Sequence, residues 1–550
     1  MKAMICRKVP MPDGCHLATD VWLPDGPGPF PVLLTRTPYH RAGMGGAKLY
    51  TQTWGYAYVV QDTRGKHDSE GAFRPLEDEQ ADGQATLDWV ADQSWCNGRI
   101  GMVGKSYLGI VQIPAAGGGH EALKCIVPGV APNSFFVDWI RYDGCFSLAN
   151  IIRWPMTHAV CRTKPVLDHF TWEELWRLPT LDAIFERAGS ESPTIREWAE
   201  RDAYDDYWAR IDQHRMYPQV KAAGLHVGGW FDHLTRGQFQ AYQGIRDNGA
   251  GDIARANQRL LIGAWGHSTI GKGEYGDWDF GPEAVIDENA YERRFVDLWL
   301  RDIDDGISDE PPVTLFVMGA NRWMRFDDWP VPGTETQTWH LRSGGNANTL
   351  AGDGRLSREA PDGDPPDRYR YDPADPVPTL GGPVYWGVAA AGPVEQRPIL
   401  SRQDVLYYRS EPLPQSLSVV GEVNLDLWIA SDAPDTDFIA KLCVVEPMGR
   451  VTCLTFGSLR CRYRNGWDRR DPLAKDEPTQ LRIQMGNLAY VFPAGSRIAL
   501  MITSSSMPRI LPHPNTMAAP WADTSPQVAC QTVLHDRDHV SRLHLPVVQL

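Results

Sequence analysis

The stretch GRIGMVGKSYLGIVQIPAA, residues 98–116, decides how the chain is read. RIGMVGKS has the texture of a buried strand, breaks at Gly104-Lys105-Ser106, and continues from Tyr107 as an apolar helix. A serine at a tight strand-to-helix turn projects its hydroxyl. The same turn aims the next backbone N–H and the positive helix end at a developing oxyanion. The nucleophile-elbow pattern is G-x-S-x-G, yet the second glycine here is Gly109, one residue late. Serine is a poor nucleophile by itself, so a real elbow obliges the chain to supply a base, an acid and a second oxyanion donor.

Outward from the elbow, three textures follow one another. Over residues 1–133, CHLATDVWLP, FPVLLTRTPY and GYAYVVQDTRG read as strands. DEQADGQATLDWVADQ (78–93) reads as a helix with Asp78 at its cap and Ala81, Ala85, Leu87 and Trp89 inward. LKCIVPGVAP is a strand after the elbow helix. Strand and helix in alternation mean a parallel sheet with crossover helices. Residues 134–222 are helical and Trp-rich, an insertion expected to lie over the sheet as a cap. Strands resume at AAGLHVGGWFD and NQRLLIGAWGH, and a helix over 287–302 completes a unit running from 223 to 335. Residues 336–550 are nearly all β, with strands separated by Gly, Pro, Asp and Asn, as in a β-sandwich or jelly roll. The Pro/Gly/Asp-rich segment 352–383 is expected to be extended.

An α/β hydrolase orders its residues Ser, then Asp or Glu, then His, each at the end of a strand. LHVGGWFD ends on Asp232 and LLIGAWGH ends on His267, in that order after Ser106. Gly266-His267-Ser268 imitates a second elbow, but position 270 is isoleucine and no apolar helix follows. HDRDHV (535–540) reads as a charged hairpin turn, not a metal site. GMGGAK and AGGGH lack the Lys-Ser ending of a phosphate-binding loop, and H-E-x-x-H is absent.

Composition bounds the rest. A chain of 550 residues implies two or three domains. With 54 basic and 69 acidic residues the net charge is −15, which disfavours nucleic acid and gives no sign of binding to anionic membranes. The ten cysteines make no C-x-x-C pair and read as reduced thiols, with a Cys453–Cys461 disulfide left open. No leader-like apolar region opens the chain and no apolar run reaches the ~18 residues of a membrane span, so the expected location is cytoplasmic.

The motifs RTPYHR (36–41), QDTRGKHDSEGAFRP (61–75), WCNGRIGMVGKSYLG (95–109), GGWFD (228–232) and GAWGH (263–267) resemble blocks of one family. So do GPVEQRPILSRQDVLYYRSEPL (392–413) and SSSMPRILPHPNT (504–516). That family is the cocaine esterase / α-amino-acid ester hydrolase / X-Pro dipeptidyl peptidase group of serine hydrolases, and its elbow is G-x-S-Y-x-G, so the late glycine belongs to the pattern. The resemblance implies an α/β hydrolase with an inserted helical cap and a C-terminal jelly roll. It implies Ser106 as nucleophile, His267 as base, Asp232 as orienting acid, and the Tyr39 hydroxyl with the Tyr107 N–H as oxyanion hole. The amino-ester branch places acids just after the triad aspartate, where this chain has His233 and Leu234, so an uncharged acyl group is expected. The aminopeptidase branch carries extra N-terminal material before its elbow, which disfavours exopeptidase action.

The expected activity is therefore hydrolysis of carboxylic esters through an acyl-enzyme, with no metal or organic cofactor. Trp139, Trp230, Leu234 and Trp265 are expected to line the substrate pocket, with Tyr385 and Trp386 as weaker candidates. The rivals are an amidase, β-lactam acylase or α-amino-acid ester hydrolase on the same triad, and a non-catalytic carbohydrate-binding protein. The expected partner is a small-molecule ester, and the assembly is left open up to a homodimer or higher homo-oligomer. Asp138 or Asp143 would restore an ammonium site if either reached the pocket.

Overall fold

The computed structural model describes residues 1–550 apart from Lys164, Trp386 and Thr524. Ten strands form the first sheet: β1 (Lys2–Pro10), β2 (His16–Leu23), β3 (Phe30–Thr37), β4 (Ala57–Asp62), β5 (Cys96–Lys105), β6 (Leu123–Gly129), β7 (Ala223–Gly229), β8 (Gln258–Gly263), β9 (Val313–Val317) and β10 (Arg322–Phe326). Their spatial order is β1-β2-β4-β3-β5-β6-β7-β8-β9-β10. The run from β4 to β9 is parallel, and β1, β2 and β10 close its edges antiparallel. The central strands are buried on both faces, which is why they read as continuous apolar runs.

The helix expected over 78–93 spans Glu79–Ala91, but its buried face is Glu79, Asp82, Gly83, Thr86, Leu87 and Val90, not the predicted alanines. The cause is Arg36, a fully buried residue of β3 whose guanidinium bonds Glu79 at 2.7 Å and lies 3.8 Å from Asp82. Asp78 makes no cap bond; its carboxylate accepts from Arg74 instead, at 2.7 Å.

Between β6 and β7 lie the helices Leu148–His158, Trp172–Trp176, Leu181–Ala188, Pro193–Glu200 and Asp206–Ile211. Among the described residues, the helical texture expected here is broken by a hairpin of two two-residue strands, Arg141–Tyr142 and Cys145–Phe146. The helix Glu288–Arg301 packs on the sheet from the other side of the sequence. Between Glu335 and Val547, eleven described strands make a second, almost wholly antiparallel sheet whose apolar core runs on into residues of β8 and β9 such as Leu260, Ile262, Val313 and Leu315. Segment 352–383 holds only the short strands Arg355–Ser357 and Asp367–Tyr371 and no helix, as expected of an extended crossing. Cys453 and Cys461 are both free, and the residue facing Cys453 across the ladder is Cys443. Among the described residues, no helix is long and apolar enough to cross a membrane.

Candidate active site

Four parallel strands end at one edge, and each contributes one residue just beyond its tip: Tyr39 after β3, Ser106 after β5, Asp232 after β7 and His267 after β8. Ser106 sits at φ 59°, ψ −129°, a conformation a non-glycine residue adopts only where its surroundings enforce it. The flanking glycines show what enforces it. Gly104 has φ +142°, and a Cβ there would lie 2.5 Å from Leu108 Cβ. A Cβ on Gly109 would lie 2.6 Å from the Gly129 carbonyl at the tip of β6. The contact that needs a glycine is therefore at 109, while Leu108 fits against Gly104. The displaced glycine is a packing requirement of this elbow.

His267 bridges the other two residues. Its Nε2 lies 3.0 Å from Ser106 Oγ and its Nδ1 lies 2.6 Å from Asp232 Oδ2. The remaining Asp232 oxygen accepts the Leu234 N–H at 2.6 Å. Burial alone would raise the Asp232 carboxyl, but His267, His233 and the Leu234 N–H together outweigh it and hold the group below the ordinary range. The loops carrying Asp232 and His267 are tied directly: Trp230 N donates to Gly263 O at 2.9 Å and Phe231 N to Trp265 O at 3.0 Å. A Cβ on Gly229 would lie 2.3 Å from that same Trp265 carbonyl, so the glycine permits the approach.

The Tyr39 phenol is raised above its usual range by burial, opposed by hydrogen bonding with Trp154, the Ser106 side chain and the Tyr107 backbone. It is a neutral donor at physiological pH. Trp154 Nε1 donates to the Tyr39 oxygen at 3.1 Å. An indole N–H can only donate, so this bond leaves the phenolic proton free to point toward the serine. Tyr107 anchors the elbow through its own ring: its hydroxyl donates to Glu79 at 2.8 Å, accepts the Leu76 N–H at 3.0 Å, and the ring stacks on Trp154 at 5.4 Å.

A pocket opens at Ser106 and His267, walled by Tyr107, Ile110, Trp139, Asn150, Trp154, His233, Leu234 and Tyr385. Of the expected substrate contacts, Trp139, Leu234 and Tyr385 line this pocket. Trp265 does not. It is fully buried in another apolar cluster, its Nε1 donates to Lys272 O at 3.1 Å, and its indole folds against Gly263, where a Cβ would lie 2.2 Å from the ring. Trp230 is also turned away from this pocket, stacked on Phe239 with its Nε1 bonded to Phe316 O at 2.7 Å. Trp386 lies outside the described residues. Asn150 and Trp154 were missed because they come from the helix Leu148–His158, to which no sequence pattern assigned a role. Their one signal was an unassigned apolar run with tryptophan just before His158.

Asp138 and Asp143 face a second cavity, on the far side of Asp232 and His233. Both are held by Arg236, whose Nε lies 3.3 Å from Asp138 and whose Nη1 lies 2.9 Å from Asp143. Burial raises both carboxyls against the pull of Arg236, Asp143 to about 6. Neither lines the Ser106 pocket.

The sequence matches two family models: the X-Pro dipeptidyl-peptidase (S15 family) over residues 13–269, and the X-Pro dipeptidyl-peptidase C-terminal non-catalytic domain over 305–544. It is 33% identical to a cocaine esterase of Rhodococcus sp. (strain MB1 Bresler) over 98% of each chain. An α-amino acid ester hydrolase structure superposes with a TM-score of 0.84 at 25% identity, over 100% of this chain and 96% of the other. An aminopeptidase from a marine sediment Thaumarchaeota archaeon superposes at 0.86 with 24% identity, over 100% and 96% respectively, which speaks for the fold. With elbow, strand-tip residues and full-length similarity agreeing, the chain belongs to the cocaine esterase / X-Pro dipeptidyl-peptidase (S15) family of serine hydrolases.

Proposed function

We propose that this hydrolase cleaves carboxylic esters of uncharged acyl groups through an acyl-enzyme. Ser106 attacks the carbonyl as His267 takes its proton, and Asp232 keeps the imidazole in the tautomer that can do so. The Tyr39 hydroxyl and Tyr107 N–H receive the oxyanion, and water then hydrolyses the acyl-enzyme by the reverse proton path. The observation that carries this reading is His267 lying 3.0 Å from Ser106 and 2.6 Å from Asp232 at a strained strand-to-helix turn.

In the same reading, residues 1–133 with 223–335 are the hydrolase domain, 134–222 a cap over its strand tips, and 336–550 a jelly roll. Tyr385 lining the Ser106 pocket supports a C-terminal contribution to substrate binding. A small-molecule ester is the partner, and free, scattered cysteines suit a reducing cytoplasm. The α-amino-acid ester reading is favoured by the structural likeness to such a hydrolase. Against it stand His233 and Leu234 beside the aspartate and the engagement of Asp138 and Asp143 by Arg236.

A fluorophosphonate probe tests the assignment. Mass mapping should find the adduct on Ser106, and Ser106→Ala should abolish labelling and turnover while keeping the fold. An adduct on Ser268 or any other serine overturns it. Matched ester and amide substrates then separate esterase from amidase.

A further inference from the structure

Asn150 lines the Ser106 pocket and is 2% exposed, yet neither Oδ1 nor Nδ2 of its amide has a hydrogen-bond partner among the described residues. A carboxamide carries two donors and two acceptor sites, and burying it unpaired costs more than burying an apolar side chain of the same shape. The local structure does not account for it. Asn150 is the third residue of the helix Leu148–His158, after the cap Ser147, a position from which a polar side chain ordinarily reaches back to the cap N–H. That N–H donates instead to Ile140 O, at 3.0 Å. Burial raises the Tyr142 phenol against Arg509 and the nearby Ser147 and Asn150 side chains, but no bond of ordinary geometry joins that phenol to the amide.

We infer that Asn150 determines specificity: its amide hydrogen-bonds a neutral polar group, a hydroxyl or a carboxamide, that the ester carries away from the scissile bond. The inference deepens the proposed ester hydrolysis and rests on it. Asn150 and Trp154 are one helical turn apart and so share a face, with Cβ atoms ~5–6 Å from each other. Trp154 in turn places its Nε1 3.1 Å from the Tyr39 hydroxyl, the proposed oxyanion donor. A group read by Asn150 therefore sits a few bonds from the reacting carbonyl. The amide is also held in place before substrate arrives, since Ala149 N donates to Pro508 O and Ile151 N to Ser147 O, both at 3.0 Å.

The surroundings of the amide define the group it takes. Ile110, Trp139 and Leu234 give the same pocket apolar walls, against which one polar residue fixes orientation. Among the described residues lining it there is no carboxylate and no guanidinium, and burial pushes the His233 imidazole down to about 3, so it is neutral as well. A charged substituent would enter without a counter-charge, whereas a hydroxyl or carboxamide can both give and accept a hydrogen bond, whichever way the Asn150 amide is turned. A site built to bond such a group rejects the analogue that lacks it, because the site's own polar atoms are then left unpaired.

The test is a set of matched esters. Methyl esters carry a hydroxyl at successive positions of the acyl chain, each paired with a twin bearing a methyl there, and a second series places the same substituents on the alcohol of acetate esters. At one position in one series the hydroxyl ester should exceed its twin by about 10–100-fold in kcat/KM, the cost of leaving the amide buried and unpaired. The series in which this happens shows which half of the ester Asn150 reads. Asn150→Leu, checked for folding by circular dichroism, should erase that preference. Asn150→Asp keeps the shape, should move the preference toward a twin with an ammonium at the same position, and decides the matter if the leucine variant does not fold. No preference at any position, or one that survives both substitutions, overturns the inference. Calorimetry on Ser106→Ala separates it from the reaction. Tighter binding of the hydroxyl ester there, lost on adding Asn150→Leu, with no ester turned over by the wild-type chain, would keep the role of Asn150 and overturn ester hydrolysis. Equal turnover of all twins would do the reverse.

Discussion

Two of the molecule's serine–histidine–aspartate clusters, one from each half, compare directly. In the first, His267 stands between Ser106 and Asp232 and spends a different nitrogen on each. In the second, Ser343 Oγ donates to Asp367 at 2.7 Å, and the same His535 Nε2 lies 2.8 Å from Asp367 and 3.3 Å from Ser343. Tyr408 OH at 2.7 Å and the Ala347 N–H at 2.8 Å also converge on Asp367. A histidine that offers one nitrogen to both neighbours cannot take a proton from one while the other steadies the far side of its ring. The second cluster is also fully enclosed: Asp367 and His535 are 0% exposed. Residue types alone do not make a nucleophile. The order of contacts, a pocket and a nearby oxyanion donor do.

The sharpest break of this comparison is paired replacement. Ser106→Ala should lower kcat by about 10⁶, the scale seen when a triad serine is lost, while Ser343→Ala should leave fluorophosphonate labelling of Ser106 intact. Labelling that moves to Ser343 would dissolve the distinction.

Next in size is Asp367→Asn, which leaves the hydroxyls of Ser343 and Tyr408 and the His535 imidazole competing for one acceptor oxygen. Removing one partner of a buried charged network costs about 3–5 kcal/mol, so urea unfolding should show that loss while labelling per folded molecule is unchanged. Unaltered stability would mean that the second cluster does not hold its sheet together.

Tyr39→Phe comes third. It removes one oxyanion donor and leaves the ring edge-on to His158 at 4.8 Å, so kcat should fall ~10²–10³-fold with KM little changed. Full kcat in this variant would reduce Tyr39 to packing, and the elbow N–H would have to act alone.

How much of this was written locally in the chain follows from where each residue gets its position. Ser106, Asp232 and His267 could be read because each closes a strand whose apolar run and terminal glycines are contiguous in sequence. Tyr39 came only through resemblance, since a tyrosine after Thr-Pro is otherwise an ordinary strand end. Trp154 and Asn150 could not be read, since they reach the pocket from a helix that no periodicity ties to the strand tips; Tyr385, nearly 280 residues beyond Ser106, was named only as a weaker candidate. Trp265 failed for the opposite reason, being next to His267 in sequence but turned under the sheet by its fold over Gly263. The polar face of the helix Glu79–Ala91 was misread because its partner, Arg36, lies on another strand. His535 was read as part of an exposed turn, but Asp367, brought in from the crossing segment, draws it into the interior.

The smallest expected effect concerns substrate charge, and it compares the two cavities on either side of His233. An α-ammonium entering the Ser106 pocket needs a carboxylate, because an unpaired buried charge costs several kcal/mol. The side chains at the mouth of that pocket beside Asp232 are His233 and Leu234, and a leucine offers only apolar contact, roughly 1.5–3 kcal/mol when fully buried. Asp232 itself is committed to His267 and the Leu234 N–H. The acids that could have served, Asp138 and Asp143, open on the other cavity and are already matched by Arg236. An ammonium would have to displace a guanidinium that bonds both oxygens of Asp143, at 2.9 and 3.0 Å, to claim either. A neutral acyl ester should therefore exceed its α-amino counterpart by about tenfold or more in kcat/KM, a difference of ~1.4 kcal/mol, measured where the amine is protonated. Asp138→Asn and Asp143→Asn should leave the ratio where it was, since neither carboxylate meets the substrate. An amino ester that reacts faster, with its advantage lost in either asparagine variant, would show that the wall between the cavities opens in the working enzyme and that the acids cross it.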